Sequence, residues 1–278
     1  MGLAISAEGS GFIGDREMLY RSAISILLEA DGAVLRTSVA PRAGTLRQHW
    51  ISEVAEGLGL KPAQVRLETG RTDLAPDSGP STLSRSIGVT GRLIRQACVT
   101  IQKRRFRDPL PIEVRRSYRL PKSKDWNTAS LAGEAFSPSA FAATVVEVSV
   151  DPVSFESRVE DVWLVVDAGK VLDADDARRA LEMGVYQALE WTTHESIDFH
   201  AGSVDPRSYL SYRRAIRRGL PRVHITLTES EENEPAGIGS LPFSCVPSAL
   251  ATAVSQATGR YMDKVPTNPE LIHGYMEQ

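Results

Sequence analysis

Apolar positions alternate from Ala23 to Leu28, with Ile24, Ile26 and Leu28 on one side, and a second run returns from Val34 to Val39. Asp31-Gly32 stands between the two runs and favours a tight turn, so the segment is predicted as a β-hairpin. Past a loop holding Pro41 and Gly44, the spacing becomes helical. Ile51, Val54, Ala55 and Leu58 share one face of a segment starting near Thr45, and Gly59 stops it. Val65 to Leu67 reads as a short strand. Helical spacing returns with Ile87, Gly91, Ile94, Cys98 and Ile101. Further on, Val146, Val148 and Val150 alternate with Glu147, Ser149 and Asp151, Asp151-Pro152 begins a turn, and Val159 to Val166 is the returning strand. A glycine-containing loop, Asp167 to Leu172, leads into a helix from about Ala174 to Thr192, with Ala177, Leu181, Gly184, Val185 and Leu189 on one face. Val223 to Leu227 is a later strand. A last helix covers about Ser248 to Ala257 before Gly259.

Hairpin, glycine loop and helix thus occur twice. The predicted fold class is α+β, with two similar β-hairpin/helix lobes at roughly 1–120 and 140–278. Between them, KRRFRDPLPIEVRR (103–116) is basic and broken by Pro109 and Pro111, and 122–140 is loop-like by composition. The 278 residues suit one large domain or two small lobes. A hydrophobic fraction of 42% and a charged fraction of 24% are those of a soluble globular protein. No apolar run approaches the ~20 residues of a membrane helix. The first residues lack a signal-peptide pattern. Cys98 and Cys245 have no metal-ligand spacing and are expected to be reduced core thiols. The net charge of −3 argues against a nucleic-acid partner. Together these features predict a cytoplasmic protein without membrane association.

The candidate chemistry centres on the loop Asp77 to Ser86, which holds Ser78, Ser81, Thr82, Ser84 and Ser86, with Arg85 at its junction with the following helix. Hydroxyls, backbone N–H groups and a guanidinium at a helix N-terminus suit an anion such as a phosphate. The plainer alternative is a serine N-cap on a core helix. Arg85 is expected to hold the loop around an anion; an internal pairing with Asp73 or Asp77 is the structural alternative. GSGFIG (9–14) satisfies G-x-G-x-x-G, with Glu29 and Asp31 downstream. Too few residues precede Gly9 for a first strand, and a hairpin follows, so a dinucleotide fold is rejected. The five histidines are scattered, and no P-loop or G-x-S-x-G occurs. RSYLSYRRAIRRG (207–219) reads as a solvated helix face, and SEENE (230–234) as an exposed acidic loop.

In order, GSGFIG, LLEADGAVLRT, the Gly44 loop, EVAEGLGL, TDLAPDSGPSTLSRS…GRLI, VVEVSVDP…VVDAGKVLDADDARRALEMGVYQAL and GIGSLP…PSALATAVSQATG…VPTNPELI resemble one family. They are similar to the C-terminal part of the molybdopterin-binding subunit of the molybdenum hydroxylases, the xanthine dehydrogenase and aldehyde oxidase family. The resemblance covers nearly the whole chain, 1–278, as the second molybdopterin-binding region.

The resemblance implies a molybdenum-molybdopterin cofactor, in its plain or dinucleotide form. It assigns contacts to Gly44, Ser81, Thr82, Leu83, Ser84, Arg85, Ser86, Gln187 and Gly239. It implies companion molybdopterin-binding, iron–sulfur and flavin subunits. The family's general base, in Gly-x-Gly-Glu, aligns with Ser240. The glutamine of its Gly-Gln-Gly loop aligns with Ala43, in Arg42-Ala43-Gly44, and a second glutamine aligns near Ala180, while Gln187 is retained. No catalytic residue and no metal ligand is therefore assigned. The N-terminal half of the usual subunit has no counterpart here. The expectation is a cofactor-contacting subunit of an oxidoreductase complex, inactive by itself. The alternative is a non-catalytic scaffold that holds no cofactor.

Overall fold

In a computed structural model, residues 1–41, 44–119, 126–136, 138–197, 199–205, 219–228 and 234–277 are described. The alternating runs form two four-stranded sheets, and the amphipathic segments cover one face of each. In chain order the larger strands are β1 (Gly2–Gly9), β2 (Ala23–Leu28), β3 (Ala33–Thr37), β4 (Val65–Thr69) and β5 (Ile112–Ser117). Two short strands, β6 (Trp126–Asn127) and β7 (Ala132–Gly133), precede the long pair β8 (Ser139–Val150) and β9 (Ser157–Asp167). β10 (Phe199–His200), β11 (Ser203–Val204) and β12 (Arg222–Leu227) complete the set.

The first sheet has the order β4-β3-β2-β5, and packs on α1 (Gly44–Leu58) and α2 (Gly88–Arg104). Its core is Ile24, Ile26, Leu35, Trp50, Val54, Leu93, Ile94 and their neighbours. The second has the order β1-β8-β9-β12, and packs on α3 (Ala174–Thr193) and α4 (Leu241–Thr258), with Val146, Leu164, Leu181, Cys245 and Leu250 in its core. A final helix, α5 (Pro269–Met276), is capped by Asn268, whose side chain accepts from the Leu271 N–H. The α+β class with two hairpin/helix units is thus the architecture found.

Four elements differ from the sequence reading. β1 is a full strand, pairing antiparallel with β8 from Gly2↔Val146 to Gly9↔Ser139. The premise that too few residues precede Gly9 for a strand is therefore corrected. A hairpin nevertheless follows, not the crossover helix of a dinucleotide fold. Residues 2–9 lie in the sheet of the chain's second half, so the two halves interlock. β5 emerges from the basic stretch because Ile112 and Val114 point inward while Glu113 and Arg115 do not. β8 starts at Ser139, well before Val146. α4 starts at Leu241, not near Ser248, with Pro242 in its first turn and Pro247 inside it. Burial of Leu241, Cys245 and Val246 offsets the roughly 3 kcal/mol cost of an interior proline.

Both cysteines are free and buried, as expected. Burial pushes the Cys98 thiol up to about 12, with Glu53 adding to the effect. Among the described residues, no helix is long and apolar enough to cross a membrane.

Candidate functional site

Three segments distant in sequence meet at the end of β1: residues 8–11, the hydroxyl loop before α2, and the turn before α4. Ser10 Oγ donates to the Ser84 carbonyl at 2.9 Å, and the Gly11 N–H donates to the Leu83 carbonyl at 2.8 Å. Leu83 and Ser84 both lie in the left-handed region, at φ 49° and 55°. That conformation is costly for residues with a Cβ and persists where surrounding contacts hold it. Here it brings the Ser84 carbonyl under the N–H groups of Ile87 and Gly88, both at 3.1 Å, which start α2. The turn before α4 lies directly on Ser84: a Cβ added to Gly237 would stand 1.8 Å from Ser84 Cβ and Oγ.

A carboxylate that the sequence reading did not single out joins these pieces. Glu8 is 9% exposed. Its Oε1 accepts from Ser84 Oγ at 3.2 Å, and its Oε2 accepts from the Ser240 N–H at 2.9 Å. The one sequence signal was the alternation in Gly-Leu-Ala-Ile-Ser-Ala-Glu, which places Glu8 on the same side of β1 as Gly2, Ala4 and Ser6.

Arg85 requires a correction. Its guanidinium points into the protein and is 1% exposed. Nε lies 2.8 and 3.0 Å from the two Glu17 carboxylate oxygens, and Nη2 lies 2.6 Å from Glu17 Oε1. The carbonyls of Pro80 and Ser78 and the hydroxyl of Ser22 accept further bonds. Its partner is thus Glu17, which also accepts from the Phe12 N–H at 3.0 Å. The two acids proposed from sequence are engaged elsewhere. Asp73 pairs with Arg71, and Asp77 accepts from the Gly79 N–H. Arg85 fixes the loop from within, its guanidinium turned to the Glu17 carboxylate and not to the surface.

The other predicted residues fall into two groups. Ser84 is committed to Glu8, and the Ser86 carbonyl accepts from the Trp50 indole N–H at 3.2 Å. Ser81, Thr82, Leu83, Gly239 and Gly44 are exposed, and the space where a Cβ of Gly44 or Gly239 would sit is open. Gln187 is exposed on α3, beside Trp191 and Phe243. One turn earlier, Gly184 packs on Pro242, so this stretch of α3 lies against the first turn of α4. Ser240 is the N-cap residue of α4, but its side chain makes no capping bond. Arg42, Ala43, residues 207–218 and residues 230–233 lie outside the described residues.

A polar cluster flanks the junction where α1 and α2 meet the turn at Glu234. Arg95 bonds Glu53 at 3.0 Å and Glu234 at 3.1 Å, Arg92 stands 3.4 Å from Glu234, and His49 stands 3.5 Å from Glu53. Burial holds the His49 pKa below its ordinary value; Glu53 raises it, while Lys170 and Arg95 lower it. Burial lowers His194 as well, against Glu190. A histidine with a depressed folded pKa stabilises the fold fully above its unfolded pKa of 6.5. That contribution is lost as pH falls from there toward the folded value. Urea midpoints are therefore expected to fall between about pH 7.5 and about pH 5.5, and to fall less in His49→Gln. An equal drop in His49→Gln would show that His49 does not contribute.

The donor set therefore divides in its fit to a phosphate-bearing cofactor. The outer rim, formed by Ser81, Thr82, Leu83 and Gly239, presents unbonded hydroxyls and exposed residues along the loop and the turn before α4, and it fits; Gly44 is exposed at the start of α1. The inner donors do not: Arg85, Ser84 Oγ and the Ser240 N–H already serve the carboxylates of Glu17 and Glu8.

A family model described as the molybdopterin cofactor-binding domain matches residues 1–109 and 105–215. A putative xanthine dehydrogenase molybdenum-binding subunit from Escherichia coli is 23% identical over 89% of this chain and 38% of its own length. The aldehyde oxidoreductase of Megalodesulfovibrio gigas is 24% identical over 79% of this chain and 26% of its own. Among solved structures, aldehyde oxidoreductase from Desulfovibrio gigas superposes over 100% of this chain and 32% of its own, with a TM-score of 0.78 and 20% identity. Quinoline 2-oxidoreductase from Pseudomonas putida 86 does so over 100% and 42%, with a TM-score of 0.77 and 16% identity. The chain spans well under half the length of these relatives. Several relatives are themselves named as subunits, among them isoquinoline 1-oxidoreductase subunit beta from Brevundimonas diminuta. The matches do not favour a scaffold unrelated to this cofactor. The chain belongs to the molybdopterin cofactor-binding domain family, with relatives in the xanthine dehydrogenase and aldehyde oxidoreductase class of molybdenum hydroxylases.

Proposed function

We propose that this chain is one part of the molybdopterin-binding body of a cytoplasmic molybdenum hydroxylase complex. Companion chains supply the rest of that body, the iron–sulfur clusters and the flavin. The carrying observation is the convergence at the end of β1: a left-handed turn at Leu83 and Ser84 presents Ser81 and Thr82 to solvent, beside the turn that ends in Gly239. In this reading the outer rim contacts the phosphates and pterin, in the plain or dinucleotide form, with Gly44 and Gln187 flanking it. Bound molybdopterin supplies a redox-active metal centre. The contribution of this chain is to hold and orient it.

In this reading the described residues bring no general base to such a reaction. At Ser240 it offers a hydroxyl, which cannot take up a proton near neutral pH unaided. The nearby Glu8 carboxylate has both oxygens bonded within the protein. The chain alone is thus expected to oxidise neither aldehydes nor aromatic N-heterocycles. Turnover is expected only in the assembled complex, with the base on a companion chain. Ser240→Glu is expected to add no measurable turnover to that complex. A base must meet its proton within a fraction of an ångström, and Ala43 also lacks the family's glutamine. Dye-coupled oxidation assays of the lone chain, the complex and the variant test this. Turnover by the lone chain, or a gain from Ser240→Glu, contradicts it.

A further inference from the structure

We infer that Glu8 closes the inner half of this junction against the cofactor's phosphates. Its carboxylate occupies the two donors that such a group would need to reach the start of α4. The inference rests on the reading of the junction as cofactor-facing.

The argument starts from the strand. Along β1, Leu3, Ile5 and Ala7 are exposed on the outer face, while Gly2, Ala4, Ser6 and Glu8 face α4. The last of these inward positions stands where α4 begins. A helix N-terminus leaves backbone N–H groups unpaired and carries the positive end of the helix dipole, so it attracts an anion. The N-cap serine ordinarily supplies an oxygen there, but the Ser240 side chain makes no capping bond. Glu8 supplies the negative oxygen instead, at 2.9 Å from the Ser240 N–H. Its second oxygen takes the Ser84 hydroxyl, presented by a residue in the left-handed conformation. The carboxylate thus clamps the turn before α4 onto the loop before α2. Gly237 permits that closeness, because any side chain there would collide with Ser84.

The charge balance points the same way. The guanidinium of Arg85, next to Ser84, is already neutralised by Glu17. A phosphate entering between Ser84 and Ser240 would find both donors engaged and a carboxylate in contact. Like charges in one site repel, and the anion already bonded there holds the place. Phosphate contacts are therefore confined to the outer rim while the Glu8 carboxylate holds its two donors.

The test uses the purified chain and inorganic pyrophosphate, with the backbone amides followed by NMR. In the wild type, pyrophosphate is expected to move the Thr82, Gly239 and Gly44 amides and to leave Ser240 unmoved. In Glu8→Ala, Ser240 and Ser84 are expected to respond in a saturable way, with overall binding tightened about tenfold. Glu8→Gln keeps the size and removes the charge, and it is expected to fall between the two. If Glu8→Ala fails to fold, Glu8→Gln carries the test. A Ser240 response in the wild type equal to that in the variants would overturn the inference. So would a silent Ser240 in the folded variants while Thr82 and Gly239 respond, although the cofactor-facing reading would then stand. Silence of every junction amide in all three proteins would overturn both.

Discussion

Arg85→Ala is expected to destabilise the cofactor-free protein by about 3–5 kcal/mol, the cost of leaving one partner of a buried ion pair without the other. Arg85 and Glu17 are each 1% exposed. Removing the guanidinium leaves a buried carboxylate with only the Phe12 N–H and the Ser22 hydroxyl as donors. It also strips the Ser78 and Pro80 carbonyls of a partner. Glu17→Ala is expected to cost as much, because it leaves the charge on the other side. The double variant Arg85→Met with Glu17→Leu is expected to recover part of the loss. Two charges then disappear together, and the polar groups around them still lack partners. Urea denaturation of the four proteins measures this. If Arg85→Ala kept full stability and lost only cofactor, the guanidinium would have to face the ligand, against the geometry described.

The second large effect is expected at Trp50. Its ring is wholly buried in the core of the first sheet, and its indole N–H donates to the Ser86 carbonyl. Trp50→Ala removes the largest side chain of that core and should cost about 3–5 kcal/mol. Trp50→Phe keeps most of the apolar contact and loses the hydrogen bond, so a smaller loss of about 1–2 kcal/mol is expected. The two variants separate packing from tethering. Amide exchange across residues 82–88 is expected to quicken in both, because the tether of the loop to α1 is gone in each. Unchanged exchange in Trp50→Phe would show that the indole bond does not hold the loop.

The residues that made the fold legible are those whose period is set by burial. Ile24, Ile26 and Leu28 with Leu35 and Val39 marked the first hairpin, and Leu181, Val185 and Leu189 marked α3, because each face is packed against a core. The missed elements carry weaker or conflicting local signals. β1 mixes glycine, serine and glutamate with its apolar positions. β5 has only Ile112 and Val114 inside a basic, proline-broken stretch. α4 runs through two prolines that local propensity reads as a stop, and its start is visible only through the core it fills.

At the site, the order of the loops was readable, since their composition is local. Which charged group meets which was not. Glu17 and Arg85 are 68 positions apart, and Glu8 and Ser240 are 232 apart. Asp73 and Asp77 are nearer to Arg85 in sequence, yet Asp73 takes Arg71 and Asp77 takes the backbone of its own turn. A buried charge takes the partner that the packing of distant strands and loops delivers, and no spacing rule encodes that choice.

The most direct measurement is the molybdenum and pterin content of this chain, purified in complex with its companion subunits and assayed by metal analysis and by fluorescence of the released, oxidised pterin. The account predicts that the complex carries molybdenum and pterin in equal amounts, with loss of both when the outer rim is blocked by Gly239→Val while the complex stays assembled. A complex that forms stably and carries neither molybdenum nor pterin under any expression condition would contradict it.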